Sequence, residues 1–259
     1  MARKKGGGKG RQRARQRAQY DELDKYPVMP PHAFARIVRD KQTLNIIYQI
    51  IEPPLTKKEQ EQRDEIMDIF IRSLTANIEE IDSNPEAYVR TAMDKVIKSY
   101  SMKINKKSKS KLFYYLRRDL IGYGKMDVLM NDVNVEDISL DGTNVPIFAY
   151  HRKFESVETT CVWETDEELE SYVIKLAQRC GKHISVAEPL LDATLMDGSR
   201  IVMKLGHEIS TRGSAFCIRR FKDDPFSPAD IVAFRTMSSL MTAYLWIAFQ
   251  NEVPMLFVG

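Results

Sequence analysis

Only three cysteines occur in 259 residues, Cys161, Cys180 and Cys217. The number is odd, the spacing is wide and no Cys-x-x-Cys appears, so a disulfide framework and a cysteine zinc site are both excluded. The four histidines (His32, His151, His183 and His207) are scattered without ligand spacing and read as structural or surface residues. Cys180, just before Gly181, reads as a helix-end thiol rather than a nucleophile. Long apolar runs are also missing. The longest late stretch without charge, residues 236–251, carries Asn, Gln, Ser and Thr and falls short of the roughly 20 residues of a membrane span. With 11 Pro and 12 Gly against 43% hydrophobic and 29% charged residues, the chain is neither collagenous nor of low complexity. It should fold, as one or two domains, in a reducing cytosol.

What is abundant is positive charge at one end. Eight Lys/Arg and no acid fall in residues 1–20; taken from the 39 basic residues of the whole, they leave 31 against 36 acidic ones. Such a Gly-rich, apolar-poor segment cannot offset its ordering entropy, so residues 1–26 are expected to be a disordered basic tail. It lacks the apolar stretch of a signal peptide. The tail suits an anionic membrane surface or nucleic acid, or else it is a solvated leader. The net-negative remainder offers no continuous basic surface, and no specific nucleic-acid partner is expected.

Pro27, Pro30 and Pro31 suggest an irregular entry, followed by a short strand over 44–51 that Glu52-Pro53-Pro54 ends. Thr56 and Glu59 stand at capping-box spacing ahead of Ile66, Ile69, Phe70, Leu74 and Ile78 at helical intervals. Asn84-Pro85 opens a second helix. A polar break over 105–111 precedes a third, through Leu112, Tyr115, Leu116 and Ile121. Residues 27–124 thus read as a strand plus a helical subdomain. The grammar then changes to short β-branched runs with turns at 135–140, 145–150 and 157–163, a helix over 166–179, and strands at 190–195, 201–205 and 215–221. Residues 125–222 read as an α/β unit with a mixed or antiparallel sheet. Pro225 and Pro228 mark a linker, with a helix over 238–249 and a strand over 255–258 beyond it. The fold class is α+β.

Period-two alternation after Asp197-Gly198 sets Ile201, Met203 and Leu205 on one face and Arg200, Val202 and Lys204 on the other. In the next strand Phe216 and Ile218 oppose Ala215, Cys217 and Arg219. If the apolar faces share a core, Arg200 and Arg219 emerge on one side as a fork suited to phosphate oxygens, and Arg212 in the connecting loop is placed to join them. Gly-x-x-x-x-Gly-Lys-[Ser/Thr] does not occur: Gly8-Lys9, Gly124-Lys125 and Gly181-Lys182 are followed by Gly, Met and His.

Val135-Glu-Asp-Ile138, Tyr150-His-Arg-Lys-Phe154, Pro189-Leu-Leu-Asp-Ala-Thr-Leu-Met-Asp-Gly-Ser-Arg200, Ser210-Thr-Arg-Gly-Ser214, Ile218-Arg-Arg-Phe221 and Leu256-Phe-Val-Gly259 resemble the N-terminal domain of the archaeal type II/IV secretion-system ATPases. That motor family includes the archaellum and pilus-assembly ATPases. The resemblance runs from about residue 47 to the last and implies a PAS-like domain over 125–222, with 223–259 as linker and start of a RecA-like ATPase domain. It further implies a homo-hexamer in the cytoplasm, at the inner face of the cell membrane, working with a membrane platform protein. ATP and Mg²⁺ would be expected in the full-length protein. Arg200, Arg219, Arg212 and Gly259, the last at the entry of a phosphate loop, would be the phosphate-binding residues. Without that loop the 259 residues alone are expected to clamp nucleotide rather than hydrolyse it. The alternative is a stand-alone PAS-like binding module anchored by its basic tail.

Overall fold

A computed structural model describes residues 19–73, 84–221 and 226–256. The elements, in chain order, are β1 (Tyr20–Met29), β2 (Ala33–Asp40), β3 (Ile46–Ile51), α1 (Lys57–Ser73), α2 (Pro85–Ser99), α3 (Lys106–Leu120), a 3-10 turn at Gly124–Met126, and α4 (Asp127–Asn131). There follow β4 (Val135–Leu140), β5 (Pro146–His151), β6 (Glu155–Val162), α5 (Asp166–Arg179), β7 (Leu190–Thr194), β8 (Arg200–Lys204), β9 (Ala215–Arg219), α6 (Pro228–Ala233) and α7 (Ser239–Gln250). The class is α+β. The described strands form one nine-stranded mixed sheet in the order β1-β2-β3-β6-β5-β4-β9-β8-β7. Every pairing is antiparallel except that of β3 with β6.

Two strands sit where the sequence suggests a tail and an irregular entry. Tyr20–Met29 pairs with Ala33–Asp40 as a hairpin at the sheet edge, so the basic tail cannot extend to residue 26. Pro27 is tolerated because an edge strand has an unpaired side for a residue without an N–H. Register shifts at Glu22/Asp24 and Pro27/Met29 break the period-two pattern that would have revealed β1. Together with β3 this hairpin belongs to the sheet, so the boundary expected near residue 124 does not divide it; the compact units are 1–220 and 221–259.

The sheet is packed on one face. Met126, Leu129 and Met130 from the 3-10 turn and α4, and Leu169, Val173, Leu176 and Ala177 from α5, bury against Ile138, Ile147, Ile201, Met203, Phe216 and Ile218 around Trp163. Thr165 caps α5, its hydroxyl accepting from the Glu168 N–H. The helical trio keeps its own core of Ile66, Phe70, Val89, Met93, Val96, Leu112 and Leu116. The capping box of α1 forms as its spacing implies: the Thr56 N–H donates to Glu59 Oε2 at 2.8 Å and the Glu59 N–H to Thr56 Oγ1 at 3.2 Å. Glu59 also accepts from Ser108 Oγ at 2.7 Å, which ties α1 to α3. The 105–111 segment is not a break: Asn105 caps α3, and residues 106–111 are its first turns, because Lys and Ser are acceptable on a solvated helix start. Leu74, Ile78 and the basic tail to residue 18 lie outside the described residues.

One polar network joins the hairpin to the sheet centre. Asp132, buried between α4 and β4, accepts from Tyr26 Oη at 2.6 Å and Tyr48 Oη at 2.7 Å on one oxygen. Its other oxygen accepts from the Asn134 N–H at 2.9 Å and Asn134 Nδ2 at 3.1 Å. Burial first, then Asp132, holds both phenols well above their usual range, so they remain donors. His151 completes the chain: its Nδ1 accepts from the Lys153 N–H at 3.1 Å, which places the ring proton on Nε2, 3.0 Å from Tyr26 Oη.

In the second unit, Ser227 and Asp230 form a capping box on α6, which starts at Pro228; that proline therefore opens a helix rather than a linker. Leu240, Tyr244, Trp246, Ile247 and Phe249 of α7 are exposed. The strand expected at 255–258 is not formed at residues 255–256, and 257–259 and Pro225 lie outside the described residues.

Candidate functional site on the open sheet face

The face of the sheet opposite α5 carries the candidate residues. Arg200 at the start of β8 is the direct register partner of Arg219 at the end of β9. Residues paired across strands point to the same side, so both side chains leave one face, but their guanidiniums lean apart, Arg219 toward β4 and Arg200 toward β7. Their side chains are 71% and 80% exposed, which leaves both open to a ligand. Each rests on a carboxylate: Arg219 Nε lies 3.2 Å from Asp137 Oδ1 on β4, and an Arg200 terminal nitrogen 3.6 Å from Asp192 Oδ1 on β7. Exposed pairs of this kind contribute at most about 1 kcal/mol, so a polyanion can displace the carboxylates.

Arg212 does not join the pair. It sits in the loop from 206 to 214, at the far end of the β8–β9 hairpin, about 13 Å along the strands from Arg200 and Arg219. Chain order already implies this, because a loop joining Lys204 to Ala215 closes at the end of the hairpin opposite Arg200 and Arg219. That loop is held in place: a Cβ on Gly142, at φ +124°, would overlap the Arg212 carbonyl. The Gly206 N–H donates to Ser214 Oγ at 2.8 Å, and His207 Nε2 stands 3.1 Å from Asp166 Oδ2. Thr143, which donates to the other Asp166 oxygen, and then His207 hold the Asp166 carboxyl below its usual range. Gly259, the remaining candidate, lies outside the described residues.

Three residues that the sequence did not single out share the face. Tyr150 on β5 is the register partner of Asp137, itself the partner of Arg219. Phe148, two residues earlier on the same side of β5, is exposed with Tyr150. Alternation around the buried Ala149 could have placed both aromatics outward; the register bringing them beside Asp137 and Arg219 is not written in any single strand. Among the described residues no group of three His, Cys, Asp or Glu side chains stands close enough to hold a metal ion. Nor is any described helix long and apolar enough to cross a membrane.

The class this defines is an α+β protein with a one-sided mixed sheet whose open face carries two carboxylate-paired arginines and two exposed aromatics. No protein-family model matches the sequence. It is similar to three proteins of Methanocaldococcus jannaschii. The uncharacterized protein MJ1288 is 42% identical over 164 residues, covering 63% of this chain and 65% of that one. The uncharacterized protein MJ0900 is 30% identical over 221 residues, 85% of this chain and 39% of that one. MJ0781, also uncharacterized, is 33% identical over 140 residues, 54% and 19% of the two. The chain thus spans less than two thirds of each of these relatives. Among solved structures it is similar to the VirB11 ATPase of the Brucella suis type IV secretion system, crystallised with sulphate. The TM-score is 0.37 at 14% identity, over 49% of this chain and 42% of that one. A likeness of that size carries no weight for function.

Proposed function

We propose that this chain is the nucleotide-clamping and coupling part of a type II/IV secretion-system ATPase, with Arg200 and Arg219 as its phosphate ligands. The observation that carries the reading is their register: two arginines, direct cross-strand partners, exposed on an open face and held only by surface carboxylates. A planar guanidinium offers paired donors that fit phosphate oxygens, and two that swing in from Asp137 and Asp192 on one face would match the charge of a polyphosphate. When phosphate arrives, the arginines exchange Asp137 and Asp192 for it, and that exchange reports the nucleotide to the rest of the machine. The motifs shared with the secretion ATPases extend the proposal to a RecA-like catalytic lobe, a six-membered ring and a membrane platform protein at the cytoplasmic face. ATP with Mg²⁺ belongs to that assembly, where the metal would neutralise phosphate charge.

Calorimetric titration of the purified chain with ATP tests the clamp. Arg219→Ala or Arg200→Ala should weaken binding by about tenfold to a hundredfold, since hydrogen bonds to charged groups contribute about 1.5–3 kcal/mol. Lysine at either position should recover only part of it. Arg212→Ala should change little. Unaltered affinity in both alanine variants would reject the clamp.

A further inference from the structure

Outside residues 1–20 the acids outnumber the bases, 36 to 31, yet the fold gathers lysines at one end of the helical trio. α1 and α3 begin there and α2 ends there. Ser108 Oγ of α3 donates to Glu59 of α1 at 2.7 Å, Gln62 Nε2 of α1 donates to the Lys103 carbonyl at 3.5 Å, and Lys109 Nζ of α3 lies 2.7 Å from Asp94 of α2. Around these contacts stand Lys57, Lys58, Lys98, Lys103, Lys106 and Lys107, all exposed and none of them ion-paired among the described residues. We infer that this end of the trio is a docking surface for an anionic membrane leaflet, held by attraction between the lysines and lipid headgroups. The inference goes beyond the clamp and uses neither Arg200 nor Arg219. It gives this chain a lipid contact of its own, apart from any platform protein.

Three features favour a lipid surface. First, the local acids are already engaged. Asp94 is paired with Lys109, and Glu59 accepts from the Thr56 N–H, from Ser108 and from Lys111, whose Nζ is 3.4 Å away. Glu61 is the remaining acid of these end turns. Two of the three helix dipoles turn their positive ends this way, and Lys98 sits on the last turn of α2, the one negative end. Second, the charge is spread rather than pocketed. The cavity between the starts of α1 and α3, about 250 Å³, is lined by Lys58 and Lys103 but also by Glu59. A small anion entering it would meet that carboxylate, whereas an extended anionic plane touches the lysine tips outside it. Three helices packed about 8–10 Å apart make a blunt end, fit to lie on a plane and too broad to enter a groove of duplex nucleic acid. Third, the residue types are those of diffuse attraction. All six cations are lysines, compact hydrated charges without the planar fork that arginine offers to a single phosphate or a base edge. Among the described residues of these end turns the exposed aromatic is Tyr100, 59% exposed at the close of α2. One ring does not make the series of stacking platforms that single strands need, but an apolar ring with a polar tip suits the depth of the headgroups.

Sedimentation with lipid vesicles tests the surface. The purified 259-residue chain is mixed with vesicles of phosphatidylcholine, or of phosphatidylcholine with phosphatidylglycerol. It should bind the mixed vesicles and ignore the neutral ones. Raising salt from about 0.1 M to about 1 M, which cuts the screening length from about 10 Å to about 3 Å, should release it. Each lysine near an anionic surface contributes roughly fivefold, so Lys57→Gln/Lys58→Gln/Lys103→Gln should weaken binding about a hundredfold, and so should Lys98→Gln/Lys106→Gln/Lys107→Gln. The positions are exposed, and thermal unfolding of each variant shows that it remains folded. Because residues 1–20 carry eight further Lys/Arg, a companion chain has those eight changed to Gln, and the loss in the triple variants should persist on that background. No binding to the mixed vesicles, equal binding to both kinds, or native affinity in either triple variant refutes the docking surface. A duplex oligonucleotide or polyglutamate held by the same lysines more tightly than the mixed vesicles would replace the lipid with another partner and overturn the inference.

Discussion

Replacing Tyr26 and Tyr48 with phenylalanine, singly and together, measures how firmly the N-terminal hairpin is fastened. Both hydroxyls donate to the same oxygen of Asp132, at 2.6 and 2.7 Å, and that carboxylate is 1% exposed. Phenylalanine keeps the ring packing, so the variants delete hydrogen bonds alone. A bond to a buried charge contributes about 1.5–3 kcal/mol, and Tyr48→Phe should fall at the lower end because Tyr26 still serves the oxygen. Tyr26→Phe should cost more, since it also strips His151 Nε2–H of its acceptor. The double variant leaves a buried carboxyl oxygen of Asp132 without its two tyrosine donors and should exceed the sum of the singles by about 1–2 kcal/mol. Urea unfolding at pH 7.5 reads all four proteins. With a slope of about 2 kcal/mol per molar, each single variant should move the midpoint down by roughly 0.7–1.5 M. Two singles within about 0.5 kcal/mol of the native chain, with an additive double, would show that the network does not hold the hairpin.

The same network sets a pH dependence. Burial holds the His151 imidazole below its usual value, against the pull of Asp132 and Asp24, with Lys153 adding to the depression. The unfolded chain takes up this proton as pH falls past about 6.5 while the folded chain resists, so stability is full above that point and is lost as pH falls toward the folded value. Urea midpoints at pH 7.5 and 5.5 should fall apart in the native chain and draw closer in His151→Gln; an unchanged difference would assign the proton elsewhere. Part of the slope should persist, because burial depresses His32 in the same sense. Glu59 acts in acid: the Thr56 N–H, then Ser108, hold its carboxyl at about 2. Its contribution is present above about pH 4.5 and lost as pH drops from there to 2. Glu59→Gln should cost about 1 kcal/mol at neutral pH and flatten the acid limb between those values, checked by thermal melts across the range.

Much of the fold was legible wherever local grammar is strong. The helix over 166–179 and the strand over 135–140 form as periodicity and turn residues imply, and the strands expected at 190–195 and 201–205 form at Leu190–Thr194 and Arg200–Lys204. So does the outward pair Arg200 and Arg219, because alternation is a property of each strand alone. The hairpin of β1 and β2 was not legible, since its register shifts scramble the alternation and its prolines resemble loop signals. The site was legible only in part for a different reason. Which strand lies beside which, and in what register, depends on packing across the chain. The neighbours of Arg219, namely Asp137 and through it Tyr150, therefore became visible only in three dimensions. The separation of Arg212 from Arg200 was legible, since a loop that follows Lys204 lies at the end of β8 away from Arg200.

The single parallel contact between β3 and β6 bears on the order of assembly. It consists of two register pairs, Ile47 with Glu158 and Tyr48 with Thr159, so more than a hundred residues must be looped back before either can form. The strands from β4 to β9 meet largely through nearby hairpins and can condense early, whereas this seam waits for chain closure. Inside the loop lies the helical trio, with a hydrophobic centre of its own. By collapsing locally it shortens the span left to search, and since closure entropy grows only logarithmically with length, the detour remains tolerable. The helices thereby shorten the effective span between the first three strands and β6.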